Sequence, residues 1–247
     1  MGSKSRIAKD IVPIIQGLID KYEIKTYIEP LCGGCNIIDK IESDTRIASD
    51  NNRYLIAMLQ TLDKIAMLPD FVTKEHYTDV RSCFNTGDGR YPDWYIGAVG
   101  ILSSYNGRFF DGGYAGTVHT KTGTVRDYYD EGRRNLMEQI PRLTDIDFRC
   151  CDYAEYRPAD WGNCLFYCDP PYKGTKQYGT SKNFDYDRFW AWTREMAVNN
   201  IVLVSESSAP EDIRCIWEQP IKRTIDNNKR VETVERLFLL DGHRNLK

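Results

Sequence analysis

The sequence predicts an α/β protein, a doubly wound, Rossmann-like sheet with an inserted lobe. Short apolar or β-branched runs alternate with segments of helical period in residues 1–68 and 144–247. Two of the early strand-like runs end in an acid, as ligand-binding α/β sheets do. Residues 69–143 break the alternation, with Gly, Tyr, Asp and Thr in place of long apolar runs.

In chain order, Ile7–Ile19 has helical period, Thr26–Glu29 and Arg46–Ser49 read as strands, and Tyr54–Ile65 reads as a helix. Inside the lobe, Lys74–Phe84 and Tyr95–Tyr105 suit helices. Asn106–Arg126 carries Gly107, Gly112, Gly113, Gly116 and Gly123 and reads as loop or hairpin. A loop of that length is usually functional. After the lobe come strands Ile146–Cys151, Leu165–Cys168, Ile201–Ser205 and Val234–Leu240, with a helix at Tyr186–Ala197. The expected organisation is therefore a discontinuous catalytic domain, residues 1–68 and 144–247, around a lobe at 69–143.

Composition narrows the class. No run approaches the roughly 18 to 20 apolar residues of a membrane span, and Met1–Asp10 lacks an apolar secretory core, so a soluble, cytoplasmic protein is expected. The eight cysteines are scattered, several within apolar runs, and read as reduced, mostly buried thiols. Cys32-Gly33-Gly34-Cys35 has zinc-knuckle spacing, but no second cysteine pair or histidine cluster completes a tetrahedral site, so no metal is expected. A net charge of −3 disfavours nonspecific coating of nucleic acid. Basic clusters do occur at Lys4, Arg6 and Lys9 and at Lys222, Arg223, Lys229 and Arg230, where on charge alone an ordinary solvated face is the better explanation.

The sharpest motif is Leu165-Phe166-Tyr167-Cys168 running into Asp169-Pro170-Pro171-Tyr172. Two prolines stiffen a turn and contribute carbonyls without N–H donors, and Asp169 adds a carboxylate. Such an acceptor-rich turn suits a substrate amino group, with Tyr172 offering a flat face for a base. Upstream, Glu29-Pro30-Leu31-Cys32-Gly33-Gly34 follows a strand with a glycine turn, which alone fits a ligandless turn equally well. Asp50, closing the next strand about 20 residues on, stands where an acid typically holds ribose hydroxyls.

Taken together, Glu29-Pro30-Leu31-Cys32-Gly33-Gly34, Ser49-Asp50-Asn51 and Asp169-Pro170-Pro171-Tyr172 resemble the Dam-type (D12 class) adenine-N6 DNA methyltransferases, over nearly the whole chain. Gly2-Ser3-Lys4 is similar to that family's N-terminal Gly-Gly-Lys segment, and Ser104-Tyr105-Asn106-Gly107 to the Tyr-Asn-Gly segment of its recognition lobe. Leu31 and Cys35 depart from the usual pattern. The stretch from Phe189-Trp190 to Val204-Ser205-Glu206 looks closest to phage or prophage members, which would place the protein in a bacterial or phage-infected cell, with or without a restriction-modification partner.

The resemblance implies a class I methyltransferase sheet with a mainly helical target-recognition lobe, S-adenosyl-L-methionine as cofactor, and double-stranded DNA as partner of a monomer or weak dimer. It assigns Asp169, Pro170, Pro171 and Tyr172 to catalysis. Lys4, Glu29, Pro30, Gly33, Gly34, Asp50, Asn51, Asp152 and Tyr153 are assigned to the cofactor, although an acid at Asp152 also suits a plain helix cap. Tyr105, Asn106, Arg108, Lys121, Arg126 and Lys173 are the candidate DNA contacts, with Lys182 a further basic candidate and Phe109 and Tyr114 beside them. The residues alone leave other amino acceptors open (cytosine N4, RNA adenine, a protein glutamine), and also a catalytically silent nucleic-acid-binding relative.

Overall fold

The computed structural model describes residues 4–119, 123–171, 184–226 and 229–242. The chain forms two compact units: Asp50–Cys150, and Lys4–Ser49 with residues 151–171, 184–226 and 229–242. Its main sheet has seven strands and is mostly parallel, as expected.

The chain opens with α1 (Ser5–Lys21), which buries Ile7, Ile11, Ile15 and Ile19 at four-residue spacing and ends with Lys21 in its last turn. Strands β1 (Thr26–Glu29) and β2 (Thr45–Asp50) pair in parallel. Asn52 then caps α2 (Arg53–Leu59), its side chain accepting from the N–H groups of Tyr54 and Leu55. The helix is shorter than its periodicity suggests. It gives way to a 3₁₀ turn at Leu62–Met67, consistent with the Thr61 hydroxyl bonding back to the Ala57 carbonyl.

In the Asp50–Cys150 unit, Thr73 caps α3 (Lys74–Thr86), which Gly87 ends in the left-handed conformation at φ 66°. Helix α4 (Asp93–Leu102) stops before Tyr105 because the Ser104 hydroxyl turns inward, 2.9 Å from the Tyr77 hydroxyl and accepting from the Phe110 N–H. The glycine-rich segment becomes a turn followed by a hairpin, β3 (Thr117–His119) against β4 (Val125–Asp127). Asp127 then caps α5 (Tyr128–Leu143). This helix buries Tyr129, Leu136 and Leu143, a seven-residue spacing too narrow to stand out as an apolar run. An aromatic cluster of Tyr54, Phe84, Phe109 and Phe110 fills the unit's interior. Strand β5 (Ile146–Cys150) closes it.

Strand β6 (Cys164–Cys168) is buried throughout and pairs in parallel with β1 on one side and β7 (Ile201–Glu206) on the other. Between them α6 (Tyr186–Ala197), capped by Asp185, lays Phe189, Trp192 and Met196 on the sheet. The last two strands, β8 (Arg214–Asp226) and β9 (Lys229–Leu240), form a long hairpin, with β9 antiparallel to β7. The order across the sheet is β5-β2-β1-β6-β7-β9-β8. Strand β8 is absent from the sequence reading and β9 starts earlier than expected. The charges and Pro220 of β8 disguise a strand that such residues suit at a sheet edge. Among the described residues no helix is long and apolar enough to cross a membrane.

Helices α2 and α4 meet at Gly97, where an added Cβ would stand 2.0 Å from the Tyr54 carbonyl oxygen. Backbone cannot swing aside as a side chain can. Gly97→Ala is therefore expected to lower stability by about 1–3 kcal/mol in a denaturant titration. An unchanged midpoint would mean the helices are not in this close contact.

Candidate active site

The site is built at the carboxyl ends of β1 and β6. Because β1 pairs with β2 on one side and β6 on the other, it lies where the strand order reverses, the position at whose carboxyl end open α/β sheets bind ligands. The β1–β6 register sets Ile28 beside Phe166, so Glu29, one residue on, and Asp169, three residues on, both emerge at the carboxyl-end edge of the sheet.

Asp169 follows the last residue of β6 and is partly open, its side chain 24% exposed. The Lys4 ammonium lies 3.1 Å from its Oδ1 and 3.2 Å from Oε2 of Glu235, and Lys4 is itself buried. Pro170 is buried, and the carbonyl of the half-buried Pro171 accepts a 2.6 Å hydrogen bond from the Tyr186 hydroxyl on α6. That bond ties the turn after β6 to the helix that packs on the sheet. Sequence reasoning singled out neither Glu235 nor Tyr186. Glu235 does carry a signal, since it takes the place of an apolar residue in the alternation that continues through Leu237 and Leu239. Tyr172, Lys173 and Lys182 lie outside the described residues, as does Lys121.

Glu29 is fully buried and accepts a 2.7 Å hydrogen bond from the Tyr27 hydroxyl. Burial pushes its carboxyl from about 4.5 up to about 8, against the pull of the Tyr27 bond, and the nearby charges of Asp169 and Asp39 push the same way. Burial likewise raises the Cys168 thiol well above its ordinary value, leaving it an unreactive core residue. Pro30, also buried, leads into the glycine turn. The Cys32 N–H donates to the Ser49 carbonyl at 2.9 Å, and the Cys35 N–H closes back on the Cys32 carbonyl at 2.8 Å. Gly33 has φ 47°, a conformation that favours glycine. The Ser49 hydroxyl is buried with no hydrogen-bond partner among the described residues.

Asp50 closes β2, and one of its oxygens accepts from the Asn52 N–H at 2.9 Å; Asn51 is exposed. Asp152 caps the short 3₁₀ turn Tyr153–Glu155, accepting from the Ala154 N–H while Glu155 receives the Asp152 N–H. Tyr153 is buried, with ring contacts to Phe184, Phe189 and Trp192.

Within the Asp50–Cys150 unit, Tyr105 is 45% exposed and its ring meets Tyr128 at 5.7 Å. The Arg126 guanidinium covers the Tyr128 ring at 4.5 Å and is held by both oxygens of Glu131. Two of the candidate DNA contacts thus meet through Tyr128. Asn106 sits in the left-handed turn at φ 57°, followed by the half-buried Arg108. Phe109 and Tyr114 do not line that surface. Phe109 belongs to the aromatic interior, and the Tyr114 hydroxyl donates to the Val72 carbonyl. Among the described residues no group of three or more metal-ligating side chains is found.

A mostly parallel sheet with a reversed strand after β7, a glycine turn after β1 and an Asp-Pro-Pro turn after β6 defines a Rossmann-like methyltransferase. The model of the D12 class N6 adenine-specific DNA methyltransferases matches residues 1–201, and the chain belongs to that family. S-adenosyl-L-methionine is the methyl donor that membership entails. Comparison with curated proteins gives no match. Among solved structures, the chain is similar to the rRNA methyltransferase aviRa from Streptomyces viridochromogenes, with 11% identity and a TM-score of 0.41 over 96% of this chain and 85% of that one. It is also similar to SMU.472 complexed with SAH, with 13% identity and a TM-score of 0.38 over 98% of this chain and 54% of that one.

The raised Glu29 carboxyl makes a pH prediction. A folded state that holds this proton while the unfolded chain has released it gains stability that is fully present below the unfolded value of about 4.5 and is lost as pH rises toward about 8. Unfolding free energy is expected to fall by a few kcal/mol across that window. Glu29→Gln, fixed in the neutral form, should flatten that part of the profile; an unchanged slope would show that another group is responsible.

Proposed function

We propose that this methyltransferase moves a methyl group from S-adenosyl-L-methionine to N6 of an adenine flipped out of duplex DNA. The observation that carries the reading is the partly open Asp169-Pro170-Pro171 turn at the carboxyl end of β6, in a member of the D12 class. S-adenosyl-L-methionine, when bound, supplies an electrophilic methyl on a sulfonium. Three features suit that cationic donor: the partly open Asp169 carboxylate, the glycine-favouring φ of Gly33, and the buried Ser49 hydroxyl, which has no hydrogen-bond partner among the described residues. In this reading Lys4, Glu29, Pro30, Gly33 and Gly34 line the methionine end, Asp50 with Asn51 takes the ribose, and Asp152 with Tyr153 adjoins the cofactor adenine.

The target N6 is a poor nucleophile because its lone pair is delocalised into the ring. The Asp169 carboxylate and the Pro170 carbonyl accept its two hydrogens, favour a pyramidal nitrogen and aim it at the methyl. A stacked base cannot reach this edge, so the adenine is flipped out and held against Tyr172. A carboxylate is too weak a base to deprotonate a neutral aromatic amine first, so the surplus proton leaves to solvent after transfer. Residues 69–143 act as the recognition lobe, where Tyr105, Asn106, Arg108 and Arg126, with Lys121 and with Lys173 from the catalytic domain, contact phosphates and bases. The enzyme works in the cytoplasm of a bacterium or phage-infected cell.

Purified protein incubated with methyl-labelled cofactor and unmethylated genomic DNA should place the label in N6-methyladenine on nucleoside analysis. Label confined to N4-methylcytosine, RNA or protein would overturn the reading. Asp169→Ala is expected to bind cofactor normally in calorimetry while transfer falls about 10²- to 10³-fold. Transfer at a wild-type rate would remove Asp169 from the chemistry.

A further inference from the structure

The reversed direction of β9 has a chemical outcome. Strands β1, β6 and β7 are mutually parallel and end at the edge where Asp169 stands, so an antiparallel neighbour enters the sheet at that edge. Arg236 of β9 is in register with Glu206, the last residue of β7, so Glu235 lies at the site end of the sheet. Alternation along β9 puts Glu235 on the same face as the buried Leu237 and Leu239, where another apolar residue is expected. Its Oε2 instead lies 3.2 Å from the Lys4 ammonium, whose other carboxylate partner is Asp169 at 3.1 Å.

Stability does not explain this arrangement. The side chains of Lys4 and Glu235 are only 7% and 6% exposed, and burying a lysine–glutamate pair is often no better than packing apolar groups in the same space. Lys4 also stands at the N-cap of α1, where the helix dipole disfavours a cation and where its side chain makes no capping bond. Local rules broken twice at one point, beside the Asp-Pro-Pro turn, mark a site kept for function. The charges are informative as well. Lys4 shares its ammonium between two carboxylates, so Asp169 does not hold that positive charge alone.

We infer that Glu235 is a positioning residue for methyl transfer, acting through Lys4 to fix the orientation of the Asp169 carboxylate. The inference rests on the function proposed above. The amine of Lys4 sits on a side chain with four methylenes, and without a second anchor it is free to leave Asp169. Glu235 supplies that anchor from the far end of the chain.

A double-mutant cycle of Lys4→Met and Glu235→Gln tests this. Glu235→Gln, nearly isosteric and neutral, is expected to lower kcat about 10- to 100-fold, the scale of a misplaced catalytic group. KM for S-adenosyl-L-methionine should stay within about threefold of wild type, because the loss is one of orientation rather than of uniform binding. In the Lys4→Met background the same substitution should change kcat less than about twofold. Wild-type kcat in Glu235→Gln, or an equal loss in both backgrounds, overturns the inference. If Glu235→Gln does not fold, Glu235→Asp takes its place, with an intermediate kcat expected and a wild-type kcat overturning the inference. Rates are read on whichever nucleoside the wild type labels, so label outside N6-methyladenine defeats the proposed function while the cycle still judges Glu235. The cycle in unfolding temperature needs no acceptor, and additivity there also overturns the inference.

Discussion

Parallel pairing of β1 with both β2 and β6 is the constraint on which the candidate site depends. It places the ends of β1 and β6 side by side and sends their following turns to one edge of the sheet. The glycine turn after β1 is short because its Cys32 amide is anchored on the Ser49 carbonyl. The turn after β6 is stiff because of two prolines and because Tyr186 holds the Pro171 carbonyl. A shift of one residue in the β1–β6 register would put Glu29 and Asp169 on opposite faces of the sheet and dissolve the site.

That same edge concentrates charge in a place with little water. Burial, with the charges of Asp169 and Asp39 added, raises the Glu29 carboxyl toward its protonated form, and Lys4 lies between Asp169 and Glu235. These are two different answers to one electrostatic cost, the first removing a charge and the second sharing an opposite one. Both leave Asp169 as the partly open carboxylate of the group, the one able to meet a substrate.

Much of this was legible in the sequence. Five buried residues ending in Asp-Pro-Pro-Tyr have few readings other than a central strand feeding an acceptor turn, and Thr26–Glu29 and Tyr186–Ala197 fall within the strand and helix read from their patterns. What stayed hidden depended on neighbours distant in sequence. Pro220 and the charges of β8 argue against a strand until it is known to lie at an edge. The narrow buried stripe of α5 has meaning only against its packing partners. Phe109 stands in the sequence beside the candidate DNA contacts, and nothing local shows that Tyr54, Phe84 and Phe110 surround it. The role inferred for Glu235 is the extreme case, since its partner lies at the opposite end of the chain.

That partnership bears on how the protein comes into being. Lys4 and Glu235 are separated by 231 positions, so their contact closes one of the largest loops this chain can form. Until β9 is in place the Glu235 carboxylate cannot reach Lys4, in whatever order β1, β6 and β7 pair. With Glu235 positioning Asp169 as inferred, readiness for chemistry waits on the β8–β9 hairpin, a long-range pairing that folding reaches late.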